Sequence, residues 1–168
     1  MPNYCANELV IKGSASDINE VVSQILTEGN LDFEKIIPSP ATPEECDKRY
    51  LLQSQMGIMP TENKLWFNWY LWNRENWGTK WNAWDTQVSD IIHTEDGKAK
   101  IIINFFTAWV PAIPVMEELI NNHPELNIIA VYDEPGMGFY GYVDNIGDHY
   151  DILPSGYSKN EDGYVLDF

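Results

Sequence analysis

The chain has 168 residues, 44% of them hydrophobic and 13% aromatic, which is single-domain size and enough apolar material for a core without disulfides or metal. Ten basic against 26 acidic residues give a net charge of −16. That charge repels nucleic-acid phosphates and anionic headgroups, so direct DNA or RNA binding is not expected.

The N-terminal MPNYCANELVIKG lacks the basic and apolar regions of a signal peptide, and apolar runs such as Ile101–Ile103 are too short to cross a bilayer. Cys5 and Cys46 make at most one bridge and have no CxxC spacing, so a reducing, cytoplasmic setting is expected and no membrane association. In chain order, NELVIK predicts a strand closed by Gly13. Ile18, Val21, Val22, Ile25 and Leu26 then recur at helical spacing, with Ser16 as the expected cap and Gly29 as the stop. LDFEKII, Leu31 to Ile37, predicts a second strand, and PSPATP a loop.

Pro43 to about Gln55 predicts a helix with proline in its first turn. KLWFNWYLWNREN fits both periods and is read as helix, through Trp66, Trp69, Tyr70 and Asn73. Trp77–Trp81 is expected to be a loop feeding a strand over Asn82–Thr94, because the Asp-Gly of TEDGK predicts a hairpin with the β-rich KAKIIINFFTAW. Pro111 and Pro114 place a helix start before Val115, Met116, Leu119 and Ile120, which share one face, and His123-Pro124 ends it. LNIIAVYDE, the turn PGMG and FYGYVDN predict a further hairpin, with another in the tail around Glu161–Gly163. The order β-α-β…β-α-β predicts an α+β, ferredoxin-like domain over residues 1–168. Its mostly antiparallel sheet carries helices on one face, with a helical insertion at about 43–76 and extra C-terminal strands at about 147–168.

Motifs for chemistry are sparse. His93, His123 and His149 have no zinc-ligand spacing, VDNIGDHYD lacks an EF-hand pattern, and there is no GxSxG, so no metal, cofactor or catalytic residue is assigned. GMGFYG lies between two strands, where no helix N-terminus meets an anion. Phe105, Phe106, Phe139, Tyr140 and Tyr142 could stack bases on a ferredoxin-like sheet, yet only Arg49, Arg74 and Lys80 lie near the tryptophans to hold phosphates. NRENWGTKWNAW supports two readings. Trp77 and Trp81 pack as core or lid, with Lys80 lying along an indole, or they form the centre of an interface. On the second reading, Asn76, Trp77, Gly78, Lys80, Trp81, Asp133 and Glu134 are the candidate partner-binding residues.

The blocks MPNYCANELVI, NWGTKWNAWD, FFTAWVPAIPVMEEL and YDEPGMGFYG, in that order over roughly residues 1–145, resemble the YubB-like ferredoxin-domain proteins of plasmids and bacteriophages. The resemblance implies a ferredoxin-like fold and a mobile-element origin, and no established activity. The resemblance does not place residues 43–73 or the tail after Gly147. Charge, missing catalytic patterns and this resemblance together lead to an expectation. It is a non-enzymatic acidic protein in the host cytosol, engaging a host protein with a basic nucleic-acid-binding groove, for example as a counter-defence inhibitor. The alternatives are a small hydrolase or transferase with a loop-assembled site, near His93, Asp133 or Glu134, and a structural accessory protein.

Overall fold

The computed structural model describes residues 3–42, 44–45, 48, 51, 55, 69–160 and 163–166. Strand β1 (Tyr4–Gly13) is followed by helix α1 (Ala15–Ile25), the short strands β2 (Leu26–Thr27) and β3 (Asn30–Leu31), and a 3-10 turn at Phe33–Lys35. Helix α2 (Trp69–Asn76) leads to β4 (Trp84–Val88), β5 (Ile92–His93) and β6 (Ala99–Ala108). Helix α3 (Ile113–Asn122) leads to β7 (Asn127–Glu134), β8 (Phe139–Asp144), β9 (Gly147–Tyr150) and the hairpin β10 (Tyr157–Asn160) and β11 (Gly163–Leu166).

The main sheet runs β4-β6-β1-β7-β8-β9, with β5 also on β6, and every pairing is antiparallel. Reduced to β1-α1-β4-β6-α3-β7, the chain has the ferredoxin-like plan, its two sequence-distant strands β6 and β7 flanking β1. Alternation sends Cys5, Leu9 and Ile11 of β1, Ile101, Ile103 and Phe105 of β6, and Ile128, Ala130 and Tyr132 of β7 to one face. There they meet Ile18, Val21 and Ile25 of α1 and Val115, Met116, Leu119 and Ile120 of α3. Two polar side chains on this face are satisfied together: Asn7 Nδ2 donates to Thr107 Oγ1 and to the Cys5 carbonyl, both at 2.9 Å, and Thr107 Oγ1 donates to the Val110 carbonyl at 2.9 Å.

Helix α3, the β5–β6 and β7–β8 hairpins and the β10–β11 hairpin stand where the sequence places them. The described residues of the predicted 43–55 helix, Glu44, Glu45, Lys48, Leu51 and Gln55, are helical; the remainder of that stretch, Trp66 and Cys46 lie outside the described residues.

Three expectations are corrected. Helix α1 is capped by Ser14, whose Oγ accepts from the Asp17 amide at 3.2 Å, so Ser16 already sits in the first turn. LDFEKII is not a sheet strand. Its pairing stops after Leu31, because the Asp32 carboxylate accepts from the Glu34 amide at 3.1 Å and turns the chain into the 3-10 turn, which drops Phe33 into the core. The second strand of the plan is β4. Asn82–Thr94 is not continuous either: a register shift between Trp84 and Gln87, with Asp85 at φ 51°, bends it. Beyond it, Ser89 Oγ takes the Ile102 amide at 3.0 Å in place of a ladder carbonyl.

Candidate functional site

At the end of the sheet where β1 begins, the loop after α2 is pinned from three sides. Thr79 Oγ1 donates to the Ala108 carbonyl at 2.9 Å. Asn73 Nδ2 donates to the Lys80 carbonyl at 2.9 Å, tying helix to loop. Gly78 has φ 77°, and a Cβ there would meet Pro114 Cδ at 2.9 Å, so the close seat against α3 requires glycine.

This pinning turns Trp77 inward. It is 3% exposed, and its Nε1 donates to the Ile37 carbonyl at 2.9 Å. Its ring stands at 73° to Phe33, with centroids 5.7 Å apart, and at 82° to Trp72, at 5.6 Å. Trp81 stays half-buried with Lys80 Nζ 4.6 Å from its ring centroid. Between α2, the loop and the 3-10 turn lies a cavity of about 370 Å3, walled by Trp69, Trp72, Trp77 and Trp81 and edged by Glu34 and Asn82. That is the size of a small-molecule or side-chain site.

The polar groups at its edge are committed. The Glu34 carboxylate accepts from the Ser39 amide at 2.6 Å and from Ser39 Oγ at 2.7 Å. Asn82 Oδ1 accepts from the Phe33 and Ala83 amides, at 2.8 and 2.9 Å, and its Nδ2 donates to Asp32 at 2.8 Å. Burial acts to raise the Asp32 pKa, but hydrogen bonds from Thr27, Asn82 and the Glu34 amide outweigh it and hold that carboxyl below its ordinary range.

Of the seven residues singled out from the sequence, Trp77 and Trp81 line this cavity, while Gly78 and Lys80 border a neighbouring cleft with Tyr70 and Trp109. Asn76 donates to the Trp72 carbonyl at 2.9 Å. Asp133 and Glu134 lie at the same end of the sheet but are buried, 5% and 2% exposed. Glu134 is taken up by its own turn, accepting from the Met137 amide. Among the described residues one Asp133 oxygen has no hydrogen-bond partner, and it faces Lys159 Nζ at 3.9 Å. His93 pairs with Ala99 at the other end of β6, so it does not join Asp133 and Glu134. Cys5, fully buried, has its thiol pushed up to about 12, chiefly by burial.

The sequence reading missed Trp69, Trp72, Asn73, Asn82 and Glu34. The spacing of Trp69, Trp72 and Asn73 within a predicted helix was the available signal. Glu34 was hidden by the reading of its segment as strand.

The sheet aromatics divide by alternation. Phe105 is core, whereas Phe106 lies in register with Ala6 on the opposite face and packs on Trp84 at 5.2 Å. Tyr142 stacks on His149 at 4.3 Å and Tyr140 lies under Lys159 Nζ at 4.5 Å. On that opposite face Tyr157 also donates to Glu8 at 2.8 Å, so the C-terminal hairpin reaches back over the first strand.

The two core-packing helices carry charge of one sign only. Asp17 and Glu20 on α1 and Glu117 and Glu118 on α3 are acidic, and neither helix contains a Lys or Arg. Glu20, Glu117 and Glu118 are exposed.

Sheet order, helix placement and the site at the β1 end define a ferredoxin-like α+β domain. The similarity extends to a family: residues 76–153, from the end of α2 through β9, match the model described as the ferredoxin-like domain in Api92-like protein. A crystal structure of protein Api92 from Yersinia pseudotuberculosis matches 92% of this chain and 99% of its own, with a TM-score of 0.53 and 9% sequence identity. At that identity the likeness shows the fold alone. No curated protein matches the chain. Among the described residues, no helix is long and apolar enough to cross a membrane.

Proposed function

We propose that this chain is a non-enzymatic binding protein of a phage or plasmid. It engages a basic partner in the host cytosol and acts as a counter-defence inhibitor of a nucleic-acid-processing enzyme by presenting acids where that enzyme expects phosphates. The observation that carries the reading is the helical layer: Asp17, Glu20, Glu117 and Glu118 without a single Lys or Arg on α1 or α3, in a chain of net charge −16. A one-signed surface of this kind steers a cationic groove toward it and loses its grip as salt screens the charges. The likeness of four sequence blocks to YubB-like plasmid and phage proteins supports the origin.

The test is affinity purification of the tagged protein from the cells that carry it, at low and high salt. It is run beside a variant with Asp17→Asn, Glu20→Gln, Glu117→Gln and Glu118→Gln. A basic, nucleic-acid-handling partner, lost at high salt and in the variant, is the expected result. No partner at either salt, or a partner retained by the variant, overturns the reading.

A further inference from the structure

The tryptophan cavity combines features that narrow its ligand. Its walls are four indoles, two of which, Trp72 and Trp77, stand at 82° to one another and form a corner. The face of an indole carries negative potential that attracts a cation, so a cavity of this size lined by four indoles suits a cationic group. The chain demonstrates the attraction itself, since Lys80 Nζ rests 4.6 Å from the centroid of Trp81. Lys80 borders the neighbouring cleft with Tyr70 and Trp109 and does not line this cavity.

The second feature is a single carboxylate at the edge of a mostly apolar lining. Glu34 edges the cavity, and Asp32 stands directly behind Asn82. Each oxygen of Glu34 already accepts one bond from Ser39, Asn82 is bonded through both ends of its amide, and Asn73 donates to the Lys80 carbonyl, so the rest of the lining offers few polar atoms. A primary ammonium or a guanidinium brings several N–H donors that would lose water here and find few acceptors in return, at a cost that falls on binding. An alkylated ammonium has a positive charge and no such donors. A neutral apolar ligand would fill the space but gain nothing from Glu34 or from the ring potentials.

We propose that the cavity between α2 and the 3-10 turn is an aromatic cage for a quaternary ammonium group of about the size of choline, held by Trp69, Trp72, Trp77 and Trp81 with Glu34 as the counter-charge. This site is separate from the acidic helical layer and stands whether or not that layer binds a partner.

The test follows the indole N–H resonances of the full chain by NMR, assigned by single Trp→Phe substitutions. Choline chloride is titrated against 3,3-dimethyl-1-butanol, which has the same shape and no charge. Choline should shift the Trp72, Trp77 and Trp81 signals and bind at least about tenfold more tightly than the alcohol, as expected of a desolvated cation–π site. Glu34→Gln should weaken choline about threefold to tenfold and leave the alcohol unchanged. Trp81→Leu should weaken choline further, with far-UV circular dichroism as the check on folding. If Trp81→Leu does not fold, the two-ligand comparison on the natural chain and Glu34→Gln still decide. Equal binding of the two ligands, no binding of either, or shifts confined to Trp84 and Trp109 overturns the proposal.

Discussion

Replacing Gly78 by alanine separates two costs that usually come together. The first is backbone: at φ 77° an alanine pays about 1–2 kcal/mol for the left-handed region. The second is contact: the new Cβ would stand 2.9 Å from Pro114 Cδ and 3.5 Å from the Pro111 carbonyl oxygen. A proline ring cannot rotate away as a long side chain would, so either the start of α3 or the tryptophan loop must shift, an overpacking cost of about 1–3 kcal/mol. The total is about 2–5 kcal/mol. Gly97 is the matched control, with φ 79° and nothing within 4 Å of its Cβ, so Gly97→Ala carries the backbone cost only, about 1–2 kcal/mol. Both changes shorten the unfolded ensemble alike, and that contribution cancels in the comparison. Urea unfolding measures it: for a contact cost of about 2 kcal/mol and a slope of about 2 kcal/mol per molar, Gly78→Ala should have a midpoint about 1 M below that of Gly97→Ala. Pro114→Ala in the Gly78→Ala background should recover most of the difference. Equal midpoints for the two glycine variants, or no recovery, would refute the close seat of the loop on α3.

Two further predictions concern carboxylates and pH. Asp32→Ala removes the acceptor for Thr27, Asn82 and the Glu34 amide and should cost about 1–2 kcal/mol at neutral pH. Because the folded Asp32 titrates below its ordinary value of 3.8, its stabilisation is complete above that value and fades as pH falls through the lower one. The gap between natural chain and variant should therefore close in acid, and a pH-independent gap in urea unfolding would be evidence against the assigned bonds. Glu8 has the opposite sign. Burial raises its pKa, against weaker opposition from the Tyr157 hydrogen bond and from Lys100, so the folded state holds its proton longer and stability declines as pH rises through that titration. Glu8→Gln should be at least as stable as the natural chain at neutral pH, with the difference vanishing in acid. A variant that loses stability progressively as pH rises would contradict the burial of that carboxyl.

Much of the fold was legible because its signals are local. The Asp-Gly pair at 96–97 fixes the β5–β6 turn, and the four buried residues of α3 were the four apolar positions at helical spacing. The Ser14 cap escaped because two serines two apart both suit the role, and only the backbone at Ser14, φ −71° and ψ 149°, decides between them. LDFEKII escaped because its alternation is real but short. A single carboxylate, Asp32, turns the segment before it can extend, and the burial of Phe33 on Trp77 stabilises the turn through a contact with a loop far along the chain. The tryptophan cluster was visible as composition. Which indoles share one cavity depends on that turn, so Trp69, Trp72 and Glu34 could not be assembled without it.

The place of β1 has a consequence in time. Strand β1 is made well before its two neighbours in the sheet, β6 and β7; Asn7 and Thr107, which share a buried hydrogen bond, are 100 residues apart. At roughly 5–20 residues per second, β1 waits about 5–20 s for its first long partner. During that interval the apolar stretch around Leu9–Ile11 has no ladder partner from β6 or β7 and only α1 to cover its core face. The nascent chain therefore passes through a window in which it is exposed to holdase chaperones and to pairing with its own copies on neighbouring ribosomes. The length of that window is set by the order of the strands and not by their individual stability.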